Sequence, residues 1–295
     1  FTPYHRRWLD APRRAIANPP GRMAAHAIPS HPLPEPDRVG TSRYREHGGE
    51  TAALANLDSW LDSIDSYDDA RDRLAAPTSR VSAALHFGTL SPLMVEQMAA
   101  DLGADGYVRQ LAWRDFNHQA LYHHPSWSSS DIRRAGRAWL DDEEGFAAWT
   151  TGTTGYPLVD AAMRQLIATG WIHNRARMVA ASFLTKHLMI DWRRGARWFL
   201  TWLTDGDIAN NHLNWQWVAG TGLDATPWRM LNPSLQSQRH DPHGIYIRRW
   251  IPELADVRSE DVHDPPPPIR RSTGYPAPII DHRVAVGRYK GRSGS

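Results

Sequence analysis

Apolar residues recur at helical spacing along most of the chain after its first forty residues. In the segment GGETAALANLDSWLDSI, for example, Leu54, Leu57, Leu61 and Ile64 fall on one helical face. Nowhere do apolar and polar residues alternate over a strand-length run, and no hairpin signal occurs. The pattern therefore predicts an all-α, multi-helical fold.

Several helix ends can be read from capping residues. In TGYPLVDAAMRQLIATG, Pro157 suits the first helical position and Gly170 suits the end. Ser91 before Pro92 predicts another helix start, and Asp191 is a candidate cap for DWRRGARWFLTWL. These signals place the recognisable motifs on helices or at helix ends.

Composition divides the chain into three parts. Residues 1–40 are rich in Pro, Arg and His and predict an interdomain linker, or an arm packed on a domain. Residues 41–290 carry the helical periodicity and predict one domain. Residues 291–295, GRSGS, predict a disordered tail. No internal repeat is evident.

Charge and cysteine content limit the possible functions. The net charge is +2, which permits a nucleic-acid partner without requiring one. The absence of cysteine excludes disulfides, thiolate metal sites and a cysteine nucleophile, and it fits a cytoplasmic protein. No apolar run approaches the roughly 18–20 residues needed to cross a bilayer, so we expect no membrane partner.

Tryptophan is unusually abundant, with 14 residues. Buried aromatic side chains in a helical core explain many of them. Aromatic stacking with a ligand, or electron transfer, explains the same enrichment in functional terms. Composition leaves both interpretations open.

The segment DGDIANNHLNWQW (205–217) combines acids, amides and tryptophans, which raises the question of a metal site. A calcium loop has glycine at its sixth position and glutamate at its twelfth, whereas here Gly206 is second and Gln216 is twelfth. His118, His123 and His124 do not have the ligand spacing of a zinc site. We therefore expect no metal.

Two other segments carry groups suited to a nucleotide. The hydroxyls and arginine of TSRVS (78–82) could cradle a phosphate, or could simply cap the helix that follows. In RQLAWRDF, the residues Gln110, Trp113 and Arg114 share a helical face. That face suits the edge of a base or a flavin, and equally suits an amphipathic helix with a half-buried tryptophan.

The segment WIHNRARM (171–178) leaves the same choice. Asn174 and Met178 share a face, and Arg175 and Arg177 stand beside aromatic residues. Such arginines could contact phosphates, or could form a solvated helix face.

These motifs occur in a fixed order, and together with NPSLQSQRHDPHGIYIRRWIPEL they resemble the photolyase/cryptochrome family. The resemblance is to the C-terminal helical FAD-binding domain, closest to class I cyclobutane pyrimidine dimer photolyases. It covers essentially the whole chain, since FTPYHRRW resembles the segment that follows the family's N-terminal α/β antenna domain. We expect that antenna domain to be absent from this chain, and an antenna pigment only where such a domain exists.

The resemblance implies a FAD site in which Asn211 lies at the redox-active ring nitrogen and Arg177 pairs with Asp205. The cofactor-binding residues that it implies are Tyr67, Thr78, Ser79, Arg80, Val81, Ser82, Tyr107, Gln110, Arg114, Asn174, Arg177, Asp205, Gly206, Asp207 and Asn211.

It also implies a tryptophan relay, defined here as Trp215, Trp192 and Trp139, with Trp215 nearest the flavin. Together with Asn211 and Gln110 these form the implied catalytic set. The implied contacts with DNA, among which Trp113 and Trp217 flank a flipped-out lesion, are Arg71, Gln110, Trp113, Asn174, Arg175, Met178, Trp217, Arg229 and Arg239.

The implied activity is light-driven repair of cyclobutane pyrimidine dimers in DNA by a monomeric enzyme, with reduced FAD as the active cofactor. The (6-4) photolyases resemble one another in having two histidines at the positions of Asn174 and Met178, so the absence of that pair favours cyclobutane-dimer repair. Asn211 favours a photolyase over a cryptochrome. Gln110 departs from the glutamate that is usual in dimer-repair enzymes. An amide can accept and donate hydrogen bonds but cannot transfer a proton. One alternative is a cryptochrome-like photoreceptor with little repair activity, and the other is a helical nucleic-acid-binding module without a cofactor, for which the arginines and the basic pI speak.

Overall fold

The computed structural model describes residues 1–18, 20–24, 28–32, 48–133, 138–224 and 226–293. Within these ranges the chain forms fifteen α-helices and no strand, which confirms the predicted all-α fold. The helices are α1 (Thr2–Asp10), α2 (Glu50–Leu61), α3 (Tyr67–Ala70), α4 (Ser82–Phe87), α5 (Pro92–Asp101), α6 (Asp105–His123), α7 (Glu143–Thr151), α8 (Pro157–Thr169), α9 (Asn174–Ser182), α10 (Trp192–Trp202), α11 (Ile208–Ala219), α12 (Pro233–His240), α13 (Ile245–Trp250), α14 (Pro267–Thr273) and α15 (His282–Ser293).

The capping signals place helix ends where the sequence predicts them. Pro157 is the first residue of α8, and Gly170 follows its last residue with a left-handed φ of 68° that glycine adopts without strain. The Asp191 side chain caps α10 by accepting a hydrogen bond from the backbone N–H of Arg193. One predicted periodicity differs: α2 ends at Leu61, and Ile64 begins a separate 3₁₀ turn.

Two hydrophobic clusters form the core. The larger lies among helices from α7 to α13 and includes the fully buried side chains of Trp149, Met163, Phe183 and Trp192. The smaller lies among α2, α4, α5 and α6, where Leu57 and Val95 are fully buried. Burying each such side chain contributes roughly 1.5–3 kcal/mol, so both clusters stabilise the fold.

Polar contacts join the two halves of the molecule. Arg175 on α9 forms an ion pair with Asp72, 2.7 Å from Nη2 to Oδ2. The backbone N–H of Leu74 donates to the His240 carbonyl. The segment that follows α3 is therefore held against α9 and the end of α12.

The N-terminal segment contains a helix that its proline-rich composition did not predict. Helix α1 packs on α6, where Tyr4 Oη and Trp8 Nε1 donate to Asp115 Oδ2 at 3.0 Å and 2.9 Å. Arg13 forms an ion pair with Glu96 on α5. Residues 19, 25–27 and 33–47 of the predicted arm and domain start lie outside the described residues, as do residues 294–295. Helix α15 includes residues 291–293, for which the sequence predicts a disordered tail.

Helix α9 continues into a π-helical turn, Phe183–His187, that holds a neighbouring loop. Lys186 in this turn is buried, and its Nζ donates to the carbonyls of Pro227 and Arg229 at 2.9 Å and 2.6 Å. These bonds satisfy the buried ammonium group and fix the backbone of the 226–231 segment between α11 and α12.

Candidate active site

Asp205 and Arg177 form the best-defined ion pair of the site. Asp205 is buried just before α11, and its Oδ2 accepts a hydrogen bond from Arg177 Nη2 at 2.7 Å. Burial alone would raise the pKa of this carboxyl, but the Arg177 guanidinium outweighs it and lowers the pKa below its usual value. The other oxygen, Oδ1, is buried without a hydrogen-bond partner in the described structure. Asp205 is therefore an ionised carboxylate with one oxygen available to a ligand.

Asp207 is the N-cap residue of α11. Its Oδ1 accepts hydrogen bonds from the backbone and side-chain nitrogens of Asn210 at 2.6 Å and 2.8 Å, and its Oδ2 lies 3.3 Å from His118 Nε2. Asn210 also accepts a hydrogen bond from Asn117 on α6 at 2.9 Å. Part of the acid- and amide-rich composition of 205–217 thus serves helix capping and contact with α6. Gly206 lies between the two acids and allows a close turn against the Leu203 carbonyl.

Asn211 lies half-buried on α11. Its Nδ2 donates a hydrogen bond to the Ala196 carbonyl of α10 at 2.9 Å. That bond fixes the orientation of the amide, and it couples Asn211 to the helix that carries Trp192.

Tyr107 on α6 lies in an aromatic cluster with Tyr67 and Trp60. Tyr107 Oη forms a 3.0 Å hydrogen bond with Ser79 Oγ, and the rings of Tyr107 and Tyr67 meet edge to face at 5.3 Å between centroids. Burial raises the pKa of Tyr107 to about 12, so the phenol remains protonated. Arg114 donates to the Leu85 carbonyl, and Gln110 Nε2 donates to the Gly106 carbonyl of its own helix at 3.3 Å.

The segment 78–82 leads into α4. Arg80 has a φ of 50°, a left-handed conformation that is unusual for a residue other than glycine and common at functional sites. Its guanidinium stacks on the Trp171 ring at 4.1 Å from the centroid. Val81 is buried, whereas Thr78, Ser79 and Ser82 are partly exposed.

Trp192 and Trp215 of the tryptophan relay are buried on α10 and α11, which pack against each other. The two helices approach at Gly195, where a Cβ atom would overlap the Trp215 ring. Trp215 also packs edge to face on Phe199 at 4.9 Å and on Trp149 at 6.0 Å between ring centroids. Trp139 is half-buried against the same core cluster. The sequence did not predict Gly195, Phe199 or Trp149 as neighbours of the relay.

Trp113 and Trp217 line a common cleft, here called the tryptophan cleft, together with Phe1 and neighbouring residues of α6 and α11. The Phe1 ring stacks on Trp113 with 3.6 Å between centroids and 8° between planes. The remaining space is about 30 Å³. One water needs roughly 10–15 Å³ on that measure. The cleft therefore joins the two predicted lesion-binding tryptophans, and Phe1 occupies part of it.

Three of the predicted DNA-contacting arginines already have intramolecular partners. Arg175 is paired with Asp72, and the Arg229 guanidinium lies 5.4 Å from the centroid of the Trp217 ring. Arg239 is exposed at the end of α12. Arg71 lies 3.9 Å from Asp68 Oδ1, and its guanidinium carbon is 6.0 Å from the centroid of the Tyr67 ring.

Asn174 and Met178 lie one turn apart at the start of α9, with 3.8 Å between Asn174 Nδ2 and Met178 Sδ. The structure therefore brings together four pairs of predicted residues: Asn174 with Met178, Arg177 with Asp205, Ser79 with Tyr107, and Trp113 with Trp217.

No group of three or more His, Cys, Asp or Glu side chains among the described residues is arranged to hold a metal ion. None of the described helices has the length and apolar character to cross a bilayer.

The chain is similar in sequence to a known protein family. Residues 107–293 match the model of the FAD binding domain of DNA photolyase. The chain belongs to this family. The match identifies FAD as the cofactor of the domain.

Relatives with curated names extend the similarity over nearly the whole chain. A deoxyribodipyrimidine photo-lyase of Streptomyces griseus is 48% identical over 98% of the chain and 66% of its own length. The Escherichia coli protein of the same name is 40% identical over 97% of the chain and 65% of its own length.

Solved structures show the same family similarity at the level of the fold. A bacterial class III photolyase from Agrobacterium tumefaciens superposes with a TM-score of 0.79 at 41% identity, covering 83% of this chain and 55% of that one. A Synechocystis cryptochrome gives 0.82 at 32% identity, covering 88% and 60%. The chain thus spans about half to two thirds of these relatives, and the class I assignment stays a prediction.

The residues of this photolyase domain fit FAD. Asp205 Oδ1 is a buried polar atom without a hydrogen-bond partner in the described structure, which suits a site that closes on a polar ligand. A carboxylate oxygen accepts hydrogen bonds from the N–H and O–H groups that such a cofactor carries.

Proposed function

We propose that this chain is the catalytic part of a light-driven deoxyribodipyrimidine photo-lyase that splits cyclobutane pyrimidine dimers in DNA. The observation that carries the proposal is the tryptophan cleft. Helices α6 and α11 each contribute one of its tryptophans, and the same helices carry Gln110 and Asn211 of the proposed FAD site. A lesion held in the cleft would therefore lie beside the cofactor.

A pyrimidine dimer must leave the duplex to reach such a cleft. Because the dimer is already poorly stacked, its extrusion costs less than that of an intact base. Trp113 and Trp217 then offer aromatic faces, and stacking of a base on an aromatic ring contributes roughly 1–3 kcal/mol. Phe1 occupies the Trp113 face and must move for the lesion to bind.

When FAD is bound in its reduced form, it supplies the light-driven electron that splits the dimer and receives it back, so the overall reaction is redox-neutral. The chain orients the lesion and excludes water. Gln110 is proposed to donate hydrogen bonds to the pyrimidine carbonyls as negative charge develops there. Its present bond to the Gly106 carbonyl is long, at 3.3 Å, and can be exchanged.

The remaining assignments extend the same proposal. Arg71, Arg175, Arg229 and Arg239 would contact DNA phosphates, and Asn174 and Met178 would border the lesion. The tryptophan relay would restore reduced FAD under light. We propose a cytoplasmic location, in keeping with the absence of cysteine. We also propose a monomer, and light scattering would measure the oligomeric state.

The decisive experiment is a repair assay with an oligonucleotide that carries one thymine dimer. The protein, loaded with FAD and chemically reduced, is incubated with it in blue light and in darkness. Repair only in light is expected. A protein that binds FAD and the dimer yet leaves it intact in light would contradict the proposal, and would favour the photoreceptor function suggested by the similarity to a cryptochrome.

A further inference from the structure

Asp131 contacts the middle tryptophan of the proposed relay. Trp192 Nε1 donates a hydrogen bond to Asp131 Oδ1 at 2.9 Å. The Trp192 side chain is fully buried, whereas the Asp131 side chain is 24% exposed. The carboxylate is therefore the polar partner of an indole N–H that water does not reach, and it also borders solvent.

The loop that carries Asp131 is held in place from within the core. Gln216, fully buried on α11, accepts a hydrogen bond from the Ile132 backbone N–H at 2.9 Å. Its Nε2 donates to the carbonyls of Trp127 and Ser130 at 2.6 Å and 3.1 Å. The backbone is fixed on both sides of Asp131, so the carboxylate is positioned before any electron moves.

Fixed charges around Trp192 favour a positive charge on its ring. Arg193 lies over the indole with 4.7 Å from its guanidinium carbon to the ring centroid. It is paired with Asp131 at 2.8 Å and with Asp191 at 3.1 Å. One guanidinium and two carboxylates leave a net charge of −1 in this group. His212 contacts the ring edge, and burial lowers its pKa, so it is neutral at pH 7.

We propose that Asp131 is the proton acceptor of Trp192 during light-driven electron transfer, an inference that rests on the relay proposed above. After Trp215 has given one electron to the light-excited, oxidised flavin, Trp192 gives one electron to Trp215, which returns to its neutral form. The Trp192 N–H bond breaks, its electron pair stays on nitrogen, and the proton binds a lone pair of Asp131. A neutral tryptophan radical and a carboxylic acid result. When Trp139 gives one electron to Trp192, the proton returns to Trp192 and Trp139 becomes the cation.

Blocking the last step exposes the Trp192 radical. In a Trp139→Phe background the oxidised centre stays at Trp192, and flash absorption spectra distinguish the neutral radical from the cation. The neutral radical is expected, forming more slowly in D₂O than in H₂O. Adding Asp131→Asn keeps an acceptor oxygen but removes the charge and the proton acceptor, so the neutral-radical signal is expected to be lost. A neutral radical that forms to the same extent and at the same rate with and without Asp131→Asn would overturn the inference.

Two further variants separate electrostatics from structural damage. Arg193→Gln removes the cation over the ring, so Trp192 oxidation is expected to be faster, opposite in direction to Asp131→Asn. Asp141→Asn removes a 90% exposed carboxylate that pairs with Arg194, which lies on α10 next to Arg193. This substitution should change neither the radical spectrum nor the rate of Trp192 oxidation. Slower oxidation in both Arg193→Gln and Asp131→Asn would refute the electrostatic argument.

A measurement without light or turnover separates this inference from the proposed function. The indole ¹H–¹⁵N resonance of Trp192, identified by its loss in Trp192→Phe, should lie downfield because of the charged acceptor and should move upfield in Asp131→Asn. An unchanged resonance overturns the role of Asp131 even where repair proceeds. A shifted resonance in a protein without light-driven electron transfer refutes the relay, and the role of Asp131 with it, while leaving the hydrogen bond established.

Discussion

The buried tryptophan pair and the tryptophan cleft use the same residue type in opposite ways. Trp192 and Trp215 are enclosed by α10 and α11, with Gly195 allowing the close approach of those helices. Trp113 and Trp217 are only partly buried, and Phe1 covers Trp113. The buried pair is packed by the protein's own side chains and is not proposed to bind a substrate, whereas in the cleft Phe1 occupies the place proposed for the substrate.

The arginines show the same difference. Arg177 and Arg193 have ion-pair partners within the fold, at 2.7 Å and 2.8 Å, and neither is proposed to contact DNA. Arg175 has an equally short ion pair, 2.7 Å from Asp72, and Arg229 lies 3.9 Å from Asp224; both would have to exchange these partners for phosphates. Substitutions in the enclosed region should therefore alter electron transfer and stability, and substitutions around the cleft should alter DNA affinity.

The largest effect is expected from Trp192→Phe. Light-driven reduction of oxidised flavin should be nearly abolished, because a phenyl ring is a poor electron donor, while repair by chemically reduced protein should be largely retained. The cavity left by the smaller ring should reduce stability by about 1–3 kcal/mol. Flavin absorbance under illumination and the repair assay measure the two activities. Equal loss of both would contradict a role confined to electron supply.

Gly195→Ala tests the packing of the enclosed region. Its Cβ atom would overlap the Trp215 ring, and such overpacking typically costs about 1–3 kcal/mol. Thermal or urea unfolding measures the change in stability. Gly287→Ala is the matched control in α15, where a new Cβ meets no atom within 4 Å, so unchanged or slightly higher stability is expected. Equal stability of the two variants would show that α10 and α11 can separate freely.

Arg229→Ala tests the electrostatic part of the cleft surface. Removing one phosphate contact should weaken binding to damaged and undamaged DNA alike, and should reduce the salt slope by about 1. Titrations at several salt concentrations measure it. Arg258→Ala serves as a control, since Arg258 is exposed and already paired with Glu260 and Asp261. A slope that stays unchanged in Arg229→Ala would remove this residue from the proposed interface.

The smallest effect is expected from Phe1→Ala. Because Phe1 covers Trp113, its removal should open the cleft and increase affinity for dimer-containing DNA by a few-fold, worth roughly 1 kcal/mol of lost aromatic stacking. Affinity for undamaged DNA should not change. Weaker binding of the dimer would mean that Phe1 is part of the binding surface and does not compete with the lesion.

Local signals in the sequence predicted helices well. Pro157, Gly170 and Asp191 act within one turn of their own position, so their effect can be read without knowledge of the fold. The pairing of Arg177 with Asp205, implied by family resemblance, is also present in the structure. The assignment of individual residues to FAD or DNA stays a prediction.

Contacts between distant segments could not be predicted in this way. Asp131 and Trp192 are 61 positions apart, and Gln216 reaches the same loop from 84 positions away. Their approach depends on how α10, α11 and the preceding loop pack, and no periodicity encodes that. Helix α1 was missed because its aromatic and basic residues share a segment with many prolines.

Lys186 has a consequence for how the cleft surface can vary. It fastens the main chain of the 226–231 segment to the core, yet Trp228 is 67% exposed and Arg229 projects beside it. Lys186 thus fixes the backbone of the 226–231 segment, whereas the outward side chains of that segment can be substituted. The outward side chains of this segment, and with them the proposed DNA contact of Arg229, can therefore change while the Lys186 bonds keep the backbone in place.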